Sequence, residues 1–329
     1  MHTRLIDEVE EWKIQRTLQL VREMGVNTIV EFFPWAYIER SPDQYDWSSV
    51  DRIVRHARNQ GIHIIARMGL VPGWARQTPD DPRAERSTLN TLPLDSFDDF
   101  AQFAADFAAR YAGTIDQLII WNEPNLAFEW GRRPPDPQAY AELLKVVYPR
   151  VKAAVPDAIV LAGALSPGAS LGDGRDRLGD LEYTQQLYAA GAAPYFDMWA
   201  VHAYGARVSY DDPPYPEEVN FRRTEINHEL IAALGDRNKP LIITEGGWND
   251  NLRWSAAVRP ADRLRWTIGA YRQSQEWNWL EATCIWQFST PWQARTYQDN
   301  WNFVAADGTP KAIYWAVREA FVPGADNRP

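Results

Sequence analysis

Two glutamates stand out by their settings. Glu123 lies within Trp121-Asn122-Glu123-Pro124-Asn125, and Glu245 within Thr244-Glu245-Gly246-Gly247-Trp248. Each closes a short apolar run, residues 118–121 and 241–243, and each is followed at once by Pro or Gly. A short apolar run ending in turn residues reads as a buried parallel strand giving way to a loop. Carboxyls at the ends of two such strands can face each other across the mouth of a barrel. Cleavage of a glycosidic bond with retention needs such a pair, about 5–5.5 Å apart, one to protonate the leaving oxygen and one to attack the anomeric carbon. Either glutamate alone reads equally well as a strand-end carboxylate capping its own loop. The pair is what points to chemistry.

The elements that would hold the pair follow from periodicity. Short strand-like runs alternate with amphipathic helices, the pattern of a parallel α/β fold. Ile14, Leu18 and Val21 fall on one helical face, closed by Gly25. Strands are expected at residues 26–33, 62–68, 118–121, 158–162, 196–202, 241–244 and 282–288. An eighth, at the front of the barrel, has only residues 2–5 to draw on. Asp95 or Ser96 can cap the helix whose Phe100, Phe103, Phe107 and Tyr111 form one face, and Asp136-Pro137 opens the next. Pro149 should kink that helix or end it early. Further helices are expected at residues 181–190, 217–234, 261–276 and 312–321. The reading is a single (β/α)8 barrel over residues 1–329, with a brief first strand.

Composition narrows the partners. A formal net charge of −10 argues against nucleic acid, and no apolar run is long enough to cross a membrane. No basic segment leads into an apolar stretch at the N-terminus, so no signal peptide is read, and a cytoplasmic or an extracellular location fits equally. The lone Cys284 excludes an intrachain disulfide. Five histidines without a close His/Glu or Cys/His spacing give no metal site. The Gly-rich residues 168–174 match neither phosphate-loop nor dinucleotide patterns, so no cofactor is expected. The 16 tryptophans suit a carbohydrate partner, because indole faces stack on sugar rings. Trp35, Trp74, Trp130, Trp248 and Trp292 fall in expected loops on the strand C-terminal side, where barrel sites form; each could touch sugar or simply pack. Glu31 could bind substrate hydroxyls or pair with Arg67.

Asn122-Glu123-Pro124 and Glu245, with His202-Ala203-Tyr204 and Trp286, resemble the clan A retaining glycoside hydrolases. So does the C-terminal run Asn302-Phe303-Val304, Asp307 to Lys311 and Tyr314-Trp315. The Trp-Asn-Glu-Pro-Asn form is most similar to family 39 and its unassigned bacterial relatives. The resemblance covers nearly the whole chain. It implies Glu123 as acid/base, Glu245 as nucleophile, Tyr204 as a donor to Glu245, Asn122 on the sugar 2-hydroxyl and Trp286 as the floor of the cleavage subsite. His202 would relay to the acid/base, or else satisfy buried backbone groups. One feature departs from the pattern. Many clan members brace the nucleophile with an arginine at the end of the second strand, where this chain offers Glu31, Phe32 and Phe33; Arg67 or Arg4 could substitute. A non-catalytic carbohydrate-binding barrel is the rival reading. Sugar identity, exo or endo action and oligomeric state stay open.

Overall fold

The computed structural model describes residues 1–324. Seven parallel strands form one sheet in chain order: Thr28–Pro34, His63–Gly69, Gln117–Ile120, Ile159–Leu165, Met198–Tyr204, Leu241–Gly247 and Leu280–Thr283. Such a run of parallel neighbours requires crossover helices, and these are Ser48–Gln60, Phe97–Tyr111, Pro137–Ala154, Asp180–Ala189, Arg223–Ile231 and Pro260–Glu276, with Glu11–Glu23 before the first strand and Ala312–Phe321 after the last.

Side chains alternate across each strand, so the sheet builds two cores. Val30, Ile65, Ile119, Leu161, Met198, Ala200, Ile242 and Cys284 fill the concave face. Ile29, Ile64, Leu118, Val160, Trp199 and Ile243 pack outward against the helices. The inner plug closes the sheet from below, leaving the strand C-termini free to carry a site.

The expected front strand is reduced to a bridge at His2. Its backbone is nevertheless bonded on both flanks: Thr3 N to Val30 O on one side, His2 N to Ile285 O and Phe288 N to His2 O on the other. The segment is pinned by Glu31, whose buried carboxylate accepts from Thr3 Oγ1 (2.5 Å), Leu5 N (3.0 Å) and Ile6 N (3.0 Å). Burial raises its pKa, and these three donors oppose the rise. Glu31→Ala would leave two buried amides without an acceptor and the Thr3 hydroxyl with only its longer bond to Val30 O, 3.3 Å. It should lower unfolding free energy by about 2–4 kcal/mol, read from chemical denaturation. An unchanged midpoint would show that the N-terminal segment is held without Glu31.

Several elements differ from expectation. The helix over Phe97–Tyr111 has no side-chain cap, because Ser96 Oγ instead donates to Ala75 O at 2.7 Å. Asp136 does cap the next helix, accepting from Ala139 N at 2.9 Å. That helix runs past Pro149 to Ala154 instead of ending early, with buried Val147 and Val151 holding its last turns to the core. The helix expected over residues 217–234 begins only at Arg223, since Asn220 Oδ1 takes the Arg223 amide and ends the preceding loop there. The last strand stops at Thr283, although Cys284 N and Trp286 N still bond to Ile243 O and Gly246 O. Among the described residues no helix is long and apolar enough to cross a membrane.

Candidate active site

Glu123 follows directly on the Gln117–Ile120 strand, through a backbone that bends sharply. Trp121 and Glu123 both take left-handed conformations, φ 74° and 40°, which bulky residues seldom adopt. Such strain persists only where neighbours over-determine it. Here Trp121 N donates to Met68 O (3.2 Å), Glu123 N to Ala164 O (3.0 Å) and Trp121 Nε1 to Glu129 O (2.9 Å). With the bend held, Asn122 and Glu123 both line one cleft.

Glu245 sits near the end of its own strand. A register shift after Val201 pairs His202 with Glu245 and Tyr204 with Gly247, which brings the two functional strands level. Tyr204 OH then donates to Glu245 Oε2 at 2.8 Å, and Arg67 Nη1 to Glu245 Oε1 at 2.5 Å. The same Nη1 donates to Asn122 Oδ1 at 2.8 Å. Arg67 thus fills the bracing position left open in the sequence. Arg4, the other candidate, pairs with Asp7 at 2.6 Å and lies 5.5 Å over the Trp292 ring.

His202 stands between the two carboxyls. Its Nδ1 is 2.8 Å from Glu123 Oε1 and 3.7 Å from Glu245 Oε2. Burial lowers its pKa, but the Glu245 charge and the bond to Glu123 outweigh this and raise it above the ordinary value. One oxygen of each carboxyl and a nitrogen of His202 all lie within 4.8 Å of one another. These donor types could also hold a cation, but the Arg67 guanidinium already supplies positive charge at Glu245.

The cleft, about 360 Å³, is lined also by Glu129, Trp286, Gln287, Trp292 and Trp301. Trp286 rests on His2, ring centroids 4.4 Å apart. Burial and the charges of Arg67 and Arg4 push His2 well below its ordinary pKa, so it presents a neutral ring.

Three expected sugar contacts lie elsewhere. Trp35 is fully buried, stacked on Phe103 and donating to Glu39 Oε2 at 2.6 Å. Trp248 is buried against Phe221 and Trp266, its Nε1 donating to Val208 O. A Cβ on Gly205 would come within 1.9 Å of that indole, so this glycine makes room for it. Glu31 neither reaches the cleft nor pairs with Arg67; its oxygens are spent on the N-terminal segment. Trp130 is buried edge-on to Trp121 and Tyr140, and Trp74 donates to Glu39 O. Of the five loop tryptophans, only Trp292 lines the cleft.

Sequence reasoning passed over Glu129, Gln287 and Trp301. Trp301 packs edge-on to Tyr204 at 5.3 Å and directly precedes the Asn302-Phe303-Val304 run, the one signal that could have drawn attention to it.

The profile of a family described as Beta-galactosidase, glycoside hydrolase family 42, matches residues 6–87. A curated relative, β-galactosidase LacZ of Heyndrickxia coagulans, is 24% identical over 127 residues, which cover 35% of this chain and 19% of the relative. A family 39 glycoside hydrolase from Bacteroides cellulosilyticus WH2 superposes with TM-score 0.74 at 21% identity, over 99% of this chain and 64% of its own. A monomeric β-xylosidase from Caulobacter crescentus CB15 gives TM-score 0.68 at 19% identity, over 97% of this chain and 66% of its own. The chain therefore spans about a fifth of the curated relative and just under two thirds of these two structures. At such identities the shared feature is the fold, an α/β barrel-like sheet. Taken with the Asn-Glu-Pro and Thr-Glu-Gly motifs, the chain resembles the clan A glycoside hydrolases, family 39 among them.

Proposed function

We propose that this protein is a retaining β-glycoside hydrolase, a (β/α)8 barrel that cleaves oligo- or polysaccharide by double displacement. The observation that carries the reading is that one oxygen of Glu123 and one of Glu245 lie within 4.8 Å of each other. Inverting enzymes hold theirs about 6.5–9.5 Å apart to leave room for a water. Closure of the barrel is supported by the His2 segment, bonded to the Thr28–Pro34 strand on one side and to Ile285 and Phe288, just past the last strand, on the other.

In the first step a Glu245 oxygen attacks the anomeric carbon while Glu123 gives its proton to the glycosidic oxygen. The bond to the leaving group breaks, the leaving group departs as an alcohol, and a glycosyl ester forms on Glu245. Water then attacks the same carbon from the vacated side, and Glu123 takes its proton. The ester bond breaks, which restores the Glu245 carboxylate and frees the sugar with its original configuration. Arg67 and Tyr204 each hold one Glu245 oxygen in place through both steps. His202, bonded to Glu123, fixes the acid's orientation. Trp286, Trp292 and Trp301 offer indole faces to the sugar.

A barrel that only binds carbohydrate would need no such pair of opposed carboxyls. Both readings meet one experiment: incubation with aryl β-glycosides and plant or microbial polysaccharides, with the first-formed anomer read by proton NMR. The β anomer is expected first. An α anomer first would mean inversion, and sugar binding without turnover would favour the binding module.

Tyr204→Phe removes one oxygen and leaves the buried ring in place. It should lower kcat/KM roughly ten- to a thousandfold, about 1.4–4 kcal/mol. Kinetics matching wild type would strike Tyr204 from the site.

A further inference from the structure

Glu129 is a third carboxyl in the cleft, and the double displacement makes no use of it. Its backbone is fixed: the carbonyl accepts Trp121 Nε1 at 2.9 Å, and the next residue, Trp130, is buried edge-on to Trp121 and Tyr140. Its side chain accepts one amide bond, from Asn90 Nδ2 at 3.2 Å on Oε2, and Asn122 lies near enough to hold its pKa down slightly. No ion pair involves it among the described residues, although Arg67 lies near enough to act on it electrostatically. A half-buried carboxyl without a cation costs stability. A glutamine or serine could bridge to Asn90 without that cost.

The placement gives the cost a purpose. Arg67 Nη1 grips Glu245 Oε1 and Asn122 Oδ1 together, and Glu129 shares their cleft. Arg67 and Asn122 both act on the Glu129 carboxyl, so a line of polar groups leads from Glu245 through Arg67 and Asn122 toward Glu129. Resting on the hydrolytic reading above, we propose that Glu129 is a specificity-determining residue whose carboxyl holds the hydroxyl on the sugar carbon adjacent to the one attacked. Burial first, then the Glu123 charge and more weakly that of Glu245, raise the Glu129 pKa to about 7, against the pull of Arg67 and Asn122. Near neutral pH it exists both with and without its proton, so it can either donate to a hydroxyl or accept from it.

The test compares wild type, E129Q and E129A on three substrates built on whichever 4-nitrophenyl β-D-glycoside, glucoside or galactoside, the wild type cleaves. These are the parent, its 2-deoxy form and its 2-amino-2-deoxy form. On the parent, E129A should lose roughly 10- to 100-fold in kcat/KM and E129Q less. On the 2-deoxy form the same variants should fall within about threefold of wild type, because the partner of Glu129 is already gone. Equal losses on parent and 2-deoxy substrates, or no loss on either, would overturn the proposal. So would a wild-type preference for the 2-amino form that E129Q abolishes, since Glu129 would then read a cation. E129Q keeps the shape and an oxygen for the Asn90 amide, so it carries the test if E129A folds poorly. A wild type inert to every glycoside would remove the hydrolytic reading itself; an active wild type with indifferent variants removes only this inference.

Discussion

Glu245→Ala should abolish turnover of every glycoside that the wild type accepts, a loss on the order of 10⁵-fold, or about 7 kcal/mol. The carboxylate does two things that no neighbour can take over. It supplies the oxygen that bonds to the anomeric carbon, and its charge offsets the oxocarbenium-like transition state. Arg67, which grips it at 2.5 Å, would then be a buried cation without its carboxylate, and the site would disfavour positive charge at the sugar. The check is kcat on an activated aryl glycoside with and without sodium formate, a small carboxylate able to enter the vacated space. Formate should restore part of the rate and deliver a product of inverted configuration. A variant retaining more than about a hundredth of wild-type kcat/KM would place the nucleophile elsewhere.

Much of this site was legible because strand ends obey a simple rule. An apolar run that stops at a carboxylate followed by Pro or Gly must leave that carboxylate at the rim of a parallel sheet. Glu123 and Glu245 fit that rule, and His202 and Tyr204 fit it through the strand between them. Glu31 stands inside its strand, with Phe32 and Phe33 still to follow, and serves the fold. Its donors Thr3, Leu5 and Ile6 lie 25–28 residues earlier in a segment with almost no strand signal. The tryptophans were illegible for a related reason. An indole in a loop reads alike whether it faces sugar or another loop, and what buries Trp35 is the approach of Phe100 and Phe103 from a helix over 60 residues away. Trp248 depends on the missing Cβ of Gly205 in a neighbouring strand's loop. Arg67 was named both as a partner for Glu31 and, beside Arg4, as a brace for the nucleophile, because strand position fixes which residues reach the rim but not which of them meet. Glu129 gave no signal. It is one acid among 44, singled out only when its loop folds back onto Trp121 and enters the cleft.

Glu123→Ala should separate the two chemical roles. On a substrate with a poor leaving group the variant should lose roughly 10²–10⁴ in kcat/KM, since no proton reaches the glycosidic oxygen. A dinitrophenyl leaving group departs without that proton, so formation of the glycosyl ester on Glu245 should stay fast. Its hydrolysis should stall, because the water has lost its base. An initial burst of dinitrophenol followed by a slow steady rate is therefore expected. Azide needs no base and fits where the side chain stood; it should attack the ester from that face, raise the steady rate and yield the β-glycosyl azide. His202 loses its 2.8 Å partner in the variant but remains 3.7 Å from Glu245, near enough that the pocket should keep its shape. The stereochemistry of the azide is decisive. If Glu123 were the nucleophile, its removal would let azide attack the intact substrate once, from the opposite face, giving the α-azide. That product would exchange the two assignments, because only a residue that has already inverted the centre leaves azide to restore it.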